Sequence, residues 1–421
     1  MGQNILDFLN SADSILYFPI LIIVMTVAGL YFSFRTKFVQ LRLFKESCKL
    51  LLEPSEDKSG KTVSSFQALM ISTASRVGTG NIVGVSTAVC IGGPGACFWM
   101  WVMCIITAAS AFVESTLAQI FKRKDETGHY FGVAVAVGFI LMVLVAFFML
   151  GGGKRLVRFT EILVPFMGIA YVLISLIVIA VNFRNIPSMF VEIFKDAFNF
   201  KAIFGGITGS CLVYGIKRGL YSNEAGVGSA PNASASANVT HPAKQGLVQT
   251  LSVYIDTLLL CTATALMCLS SGVERSEAVA GAQYVQNSVS TVFGGFGPVF
   301  ITMAMVLFAF TTLLGNLFYV DNALAFLNHK KMPSKRFLNI FHIICSVVIF
   351  FGAIIPMDAA WAAADITMGG MTLINLPACA LLGSIAVKTL KDYEAQKKAG
   401  RNPVFKASEI GLEAEETDMW K

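Results

Sequence analysis

The sequence predicts an all-α, multi-pass membrane protein, on the evidence of its composition and of two interrupted apolar helices. Hydrophobic residues make up 55% of the 421 residues, charged residues only 14%, and the mean hydropathy is +0.68. Several apolar runs reach the ~20 residues that a bilayer-spanning helix needs. Glycine-rich segments break two runs, at residues 76–81 and 218–226. Because a bilayer tolerates unwound backbone only inside protein or beside a watery cavity, both breaks predict a site near the membrane midplane.

We expect about ten membrane-spanning helices in a single integral membrane domain, residues 1–421. Their approximate bounds are 15–34, 64–90, 95–121, 131–150, 159–182, 203–226, 244–271, 297–328, 337–356 and 359–388. The second and sixth carry the breaks, a pairing typical of the substrate and ion sites of secondary transporters. Residues 185–200 are too polar to cross and predict an interfacial helix. We expect the polar tail, residues 389–421, to be solvated.

Basic residues between the apolar runs predict the orientation. The loop 35–61 is rich in Lys and Arg, which places it in the cytoplasm and the N-terminus outside. With about ten spans, however, later basic segments and the tail fall outside. One more crossing between residues 125 and 150 would return all of them, including the tail, to the cytoplasm. The repeats agree: the first block (62–182) has one span fewer than the second (203–388), so an inverted repeat would be one helix short near residue 130.

Enzyme, nucleic-acid-binding and channel functions fit the sequence poorly. The nine Cys and four His show no metal-ligand spacing, and no glycine-rich loop carries the Lys of a phosphate site. The net charge of +6 comes from basic residues between apolar runs, which suits a membrane protein better than a nucleic-acid binder. No ring of repeated carboxylates or filter loop suggests a channel. We therefore expect no catalytic residues and no organic cofactor.

A series of motifs runs through most of the chain in a fixed order. They occupy residues 65–69, 76–84, 92–96, 98–101, 215–226, 241–249, 256–265, 308–312 and 361–366. This series resembles the alanine or glycine:cation symporter family, also called the sodium:alanine symporters. The resemblance implies one helix followed by a five-plus-five inverted repeat of the leucine-transporter type. It also implies sodium-coupled uptake of small neutral amino acids such as alanine and glycine.

The chain departs from this family pattern after Gly128. There the family continues with a re-entrant segment and a further span that is expected to line the substrate site. Here His129 leads directly into the next apolar run. A second departure is Asn316, where many relatives carry Trp.

The first break offers groups for both a substrate and a cation. Gly78 and Gly80 leave amide N–H groups unpaired, and these suit the carboxylate of an amino acid near Thr79. The carbonyl of Val77 and the side chain of Asn81 suit a hard cation such as sodium. The alternative is that these glycines serve close helix packing.

In the second break, Ser222, Asn223 and Glu224 place polar groups at membrane depth. Ser222 and Asn223 are candidate substrate ligands. An unpaired buried carboxylate is costly, so Glu224 must pair, bind a cation or be protonated. The structural alternative is that Glu224 pairs with Lys217 or Arg218 and only stabilises the break.

Further candidates lie in the second half of the chain. The resemblance implies that Thr311 and Thr312 complete a sodium site with carbonyls of the first interrupted helix; back-bonding to their own helix is the alternative. Asp256 and Asp365 are intramembrane carboxylates and so are functional candidates, although either could equally lock helices together.

Together these observations predict a symporter in the plasma (inner) membrane of a bacterium, with a small neutral amino acid and Na⁺ as its ligands. No protein partner is inferable. The alternative is a transport-inactive, accessory or sensor derivative that has lost a helix.

Overall fold

The computed structural model describes residues 11–13, 15–53, 63–122, 153–200, 210–327, 334–352, 357–412 and 420. These residues are almost entirely helical, and no strand occurs among them apart from an isolated bridge between Val63 and Ala237. The prediction of an all-α, multi-pass membrane protein is confirmed. The predicted span 131–150, and with it the question of an extra crossing near residue 130, lies outside the described residues.

The first half of the chain forms an opening helix, two short helices, the first interrupted helix and two long spans. The bounds are α1 Ile22–Arg35, α2 Val39–Arg42, α3 Phe44–Leu50, α4 Ser65–Arg76, α5 Val85–Ile91, α6 Gly95–Ile120, α7 Gly153–Val181 and α8 Ile186–Ala197. A π-helical segment, Leu16–Leu21, precedes α1, and another, Gly80–Gly84, precedes α5. The amphipathic α8 matches the interfacial helix predicted for residues 185–200.

The second half of the chain also has an interrupted helix followed by long helices. The bounds are α9 Cys211–Asn223, α10 Ala230–Ser236, α11 Pro242–Tyr254, α12 Thr262–Ser270, α13 Ala282–Phe293, α14 Phe296–Leu327, α15 Lys335–Gly352 and α16 Met357–Lys398. A π-helical segment, Ile255–Cys261, joins α11 to α12 in one continuous rod.

Five described helical rods are long and apolar enough to cross a membrane. They are Gly95–Ile120, Thr160–Val181, Pro242–Ser270, Phe296–Leu324 and Ala359–Lys398. Shorter apolar helices, Ile22–Arg35 and Gly80–Ile91, accompany them. Apart from residues 131–150, each predicted span contains described helix.

Helix α6 lies at the centre of the bundle, where α1, α9, α10, α11 and α16 pack on it. Its contact with α11 depends on Gly246. A Cβ at Gly246 would meet the Thr116 hydroxyl and would lie 2.8 Å from the backbone oxygen of Phe112. Small residues at such crossings let helix backbones approach, which matters in a membrane because lipid gives no hydrophobic drive for association.

Most charged residues in the described part of the tail are exposed, as expected, but this part also packs on the bundle through apolar residues. Helix α16 continues to Lys398, and the chain then returns so that Phe405 is only 3% exposed. The Phe405 N–H donates to the carbonyl of Thr240 at 2.9 Å, and its ring contacts those of His241 and Trp420. Buried aromatic area, which charge counting overlooks, holds this segment against the bundle.

The close approach of α11 to α6 predicts opposite effects for two glycine substitutions. Gly246→Ala should lower stability by about 1–3 kcal/mol because the added methyl group overpacks the contact. Gly370→Ala, on α16, meets no atom within 4 Å and should raise stability by up to about 1 kcal/mol through helix propensity. Thermal unfolding in detergent measures both. Equal melting temperatures for the two variants would contradict the packing assignment.

Candidate substrate and ion site

The first break is a short unwound link between α4 and a π-helical turn. Helix α4 begins with a capping box between Ser64 and Gln67. After its last residue, Val77 turns out of the helix at φ −75° and ψ 87°. The Gly78 N–H donates to Oδ1 of Asn81 at 2.9 Å, so one of the amides expected to be free has a partner.

The second break begins later than the sequence analysis predicted. Residues 218–223 belong to α9, which is regular through Asn223 and is capped at its start by the Ser210 hydroxyl. Unwinding starts at Glu224, which adopts a left-handed conformation at φ 50°. Gly226 and Gly228 follow with φ of 88° and 92°, and glycine adopts such angles without steric cost. The glycines that unwind the chain are therefore these two, whereas Gly219 lies within the helix.

A buried polar cluster, defined by Asn81, Ser222, Asp256 and Thr257, joins the two interrupted helices to the π-helical segment Ile255–Cys261. Asn81 Nδ2 donates to Asp256 Oδ1 at 2.6 Å, and the Ser222 hydroxyl donates to the same oxygen at 2.9 Å. The Thr257 hydroxyl donates to Asp256 Oδ2 at 3.0 Å. Neutral groups make all these bonds, and no basic side chain of the described residues forms an ion pair with Asp256.

Asn223 fixes the start of the second break against this polar cluster. Its Nδ2 donates to the Thr257 hydroxyl at 3.1 Å, and its Oδ1 accepts from the N–H of Ala225 at 3.0 Å. Both ends of the amide therefore have partners, so Asn223 orients the break around Thr257.

Aromatic rings lie beside the first break. A Cβ at Gly80 would lie 3.1 Å from the Tyr221 ring, and that ring packs edge-on against Trp361 with centroids 4.7 Å apart. Thr79 is half-buried, between fully buried neighbours on either side. Tyr221 and Trp361 were not predicted as lining residues, although both lie within the motifs at 215–226 and 361–366.

The two adjacent threonines of α14 face different ways. The Thr312 hydroxyl donates to the carbonyl of Val77 at 3.4 Å, and a Cβ at Gly78 would collide with that hydroxyl. The Thr311 hydroxyl donates within its own helix, to Leu307 and Phe308. Successive helical residues point about 100° apart, so only Thr312 of the pair faces the break.

Glu224 has neutral partners, which corrects the alternative that it pairs with Lys217 or Arg218. The Ser229 hydroxyl donates to its carboxylate at 2.6 Å, and the Ser75 hydroxyl lies 3.3 Å from both carboxylate oxygens. Ser75 also lies 2.7 Å from Oδ1 of Asn316. The left-handed turn at Glu224 directs its side chain away from the basic residues of α9.

The basic residues of α9 pair with Asp365 instead. Lys217 Nζ lies 2.8 Å from Asp365 Oδ2, and Arg218 Nη1 lies 3.3 Å from Oδ1. Lys217 also pairs with Asp13, and the Arg218 guanidinium stacks on the Trp361 ring at 4.1 Å. Of the two alternatives for Asp365, this arrangement matches a lock between α9 and α16.

Comparison with known proteins identifies the family. The model of the sodium:alanine symporter family matches residues 2–135 and 133–407. The probable sodium/glutamine symporter GlnT of Bacillus subtilis is 37% identical over 96% of this chain and 94% of its own length. The amino-acid carrier protein AlsT of the same organism is 40% identical over 92% of each chain. The sodium/alanine symporter AgcS of Methanococcus maripaludis is 31% identical over 95% of this chain and all of its own length.

These alignments are also longer than this chain. They extend over 453, 438 and 458 residues, whereas this chain has 421, so each relative has positions that this chain lacks. The two segments of the family match meet at residues 133–135, where the sequence analysis expected a missing helix. With matches across almost its whole length, the chain belongs to the sodium:alanine symporter family, a family of sodium-coupled amino-acid symporters and not of enzymes.

Proposed function

We propose that this protein uses a sodium gradient to take up small neutral amino acids, alanine or glycine, by alternating access. The observation that carries the proposal is the buried Asp256 carboxylate, which neutral donors hold between two interrupted helices. A charge at this depth is costly unless a cation compensates it. A sodium ion, which prefers oxygen ligands, would compensate it there.

The sodium ligands are drawn from both breaks. Asp256, Ser222 and Thr257 offer side-chain oxygens within one polar cluster. The Val77 carbonyl and the Thr312 hydroxyl offer a second pair of oxygens next to the first break. Carboxylate, carbonyl and hydroxyl oxygens are the ligands that hard cations take. Asn81 and Thr311 were also predicted as ligands; Asn81 lies in the cluster, and Thr311 would have to rotate towards the break.

The substrate would bind along the first break. Thr79 and Gly80 present backbone at the start of a helical turn, where partial positive charge suits a carboxylate. Gly78, which was also predicted as a substrate ligand, already donates its N–H to Asn81. Ser222 and Asn223 border this space from the second break. The Tyr221 ring packs against Gly80 and leaves little room for a long side chain, which favours alanine or glycine.

Release to the other side requires the polar contacts between α9 and α16 to rearrange. Lys217 and Arg218 hold Asp365, and the turn after α9 contains Gly226 and Gly228 with positive φ. Rocking of the interrupted helices against the long spans would then expose the site alternately. We further propose a bacterial inner membrane location, with the N-terminus outside and the tail, residues 389–421, in the cytoplasm.

A second candidate function follows from the positions that this chain lacks. Relatives align over more positions than this chain possesses, so this chain could bind amino acid without moving it, as a sensor or accessory protein. Binding without flux distinguishes this candidate from a symporter.

The proposal is tested by uptake of labelled alanine into proteoliposomes that hold the full chain. We expect uptake that requires an inward sodium gradient and that unlabelled glycine inhibits. Gly80→Leu should reduce uptake to background, because its side chain meets the Tyr221 ring where the substrate would bind. Sodium-dependent binding of alanine without uptake would favour the sensor. If the folded protein shows no binding and no uptake, both functions are refuted.

Substitutions at Thr312 should separate sodium affinity from substrate affinity. Thr312→Val keeps the shape of the side chain but removes the hydroxyl oxygen, so the sodium concentration needed for half-saturation should rise about tenfold. Thr312→Ser keeps the oxygen and should restore it. Sodium titrations of alanine binding measure this shift at fixed alanine concentration. Equal half-saturation for the Val and Ser variants would remove Thr312 from the sodium site.

A further inference from the structure

A separate apolar groove lies on the outside of the bundle, behind the polar cluster. It has a volume of about 500 Å³ and runs between the short helices α2 and α3, the middle of α6, and the rod α11–α12. Its rim is formed by Leu41, Phe44, Ile105, Leu258 and Leu259, each of which is 36–52% exposed. Tyr254 is buried in its floor, where its hydroxyl donates to the carbonyl of Gln40 at 3.1 Å. The groove is therefore built with a fixed floor and an open apolar rim.

Exposed basic residues lie close to the groove in the chain. Helix α1 ends at Arg35, and exposed Lys37 and Lys45 follow it. Lys45 directly follows Phe44 of the rim at the start of α3, so its backbone lies next to the rim. Neither Lys37 nor Lys45 forms an ion pair with a described residue. Basic residues at the ends of spans mark the headgroup level of a bilayer and attract anionic lipids.

The wall of the groove is the π-helical segment that carries Asp256. Leu258 and Leu259 face outwards into the groove, whereas Asp256 and Thr257 face inwards and are fully buried. π-helical turns are irregular and occur frequently at functional sites. A molecule that packs against Leu258 therefore contacts the backbone that positions the Asp256 carboxylate.

We propose that this groove binds one acyl chain of an anionic phospholipid, with the lipid phosphate at Lys45, and that the bound lipid tunes sodium binding on the opposite face of the π-helical segment. The rim residues are apolar and exposed, Lys45 adjoins them in the chain, and the volume suits part of a lipid tail. The lipid site stands on its own geometry, and the effect on sodium rests on the proposed function.

The lipid site is tested by native mass spectrometry of the delipidated full chain, titrated with phosphatidylglycerol or with phosphatidylcholine of the same acyl chains. We expect tighter retention of phosphatidylglycerol. Lys45→Ala should weaken its binding about fivefold, towards that of phosphatidylcholine, through loss of one lysine–phosphate attraction. Leu258→Trp should weaken both lipids about tenfold by filling the groove. The matched control is Leu176→Trp on α7, where Leu176 is likewise exposed, at 52%, and retention should not change.

Equal retention of the two lipids by the unmodified chain, or equal effects of Leu258→Trp and Leu176→Trp, would overturn the lipid site. These titrations need neither sodium nor amino acid, so a chain that does not transport tests them equally well. The effect on sodium is tested by the sodium half-saturation of alanine binding with and without phosphatidylglycerol. We expect phosphatidylglycerol to shift the sodium concentration at half-saturation, and Leu258→Trp to abolish this shift. If the lipid binds specifically but the sodium concentration at half-saturation does not change, the coupling is overturned and the lipid site stands.

Discussion

The carboxylate of Asp256 is the group on which the centre of this structure depends. Three separate segments donate hydrogen bonds to it: Asn81 from the first interrupted helix, Ser222 from the second, and Thr257 from its own π-helical turn. Hydrogen bonds to a buried charge are stronger than neutral ones, and breaking one leaves the charge uncompensated. Both breaks are therefore held through one buried carboxylate, and under the proposed function a sodium ion compensates its charge.

The surrounding packing keeps this cluster in register. Gly246 lets α11 approach α6, and α11 continues into the turn that carries Asp256. Asp365 forms ion pairs with both Lys217 and Arg218, so these basic residues of α9 do not pair with Asp256. As a result, no ion pair among the described residues neutralises the Asp256 carboxylate.

The sequence predicts the outline of this arrangement and several of its residues. Apolar runs of bilayer length and two glycine-rich breaks are local signals, so described helix lies in every predicted span except 131–150, and the first break is found where expected. The start of the second break was misplaced, because Gly219 lies within α9 while Gly226 and Gly228 adopt the positive φ values. The partners of Glu224 could not be predicted, because its left-handed backbone conformation changes the direction of its side chain. The partners of Asp365 could not be predicted either, because they lie far away in the sequence and meet it only in the folded bundle. Most of the described charged residues of the tail are exposed as expected, but the packing of Phe405 was not predicted, because charge counting gives no sign of a single buried ring.

The measurement that tests this account most directly is the binding of radioactive sodium to the purified chain, compared with its Asp256→Asn variant. The substitution keeps the size of the side chain and removes the charge. We predict saturable sodium binding by the unmodified chain and a loss of affinity of about 100-fold or more in the variant, because the buried charge is the main attraction for the ion. Glu192→Gln, which removes an exposed carboxylate on α8, should bind sodium like the unmodified chain. Unchanged sodium affinity in Asp256→Asn would contradict the account.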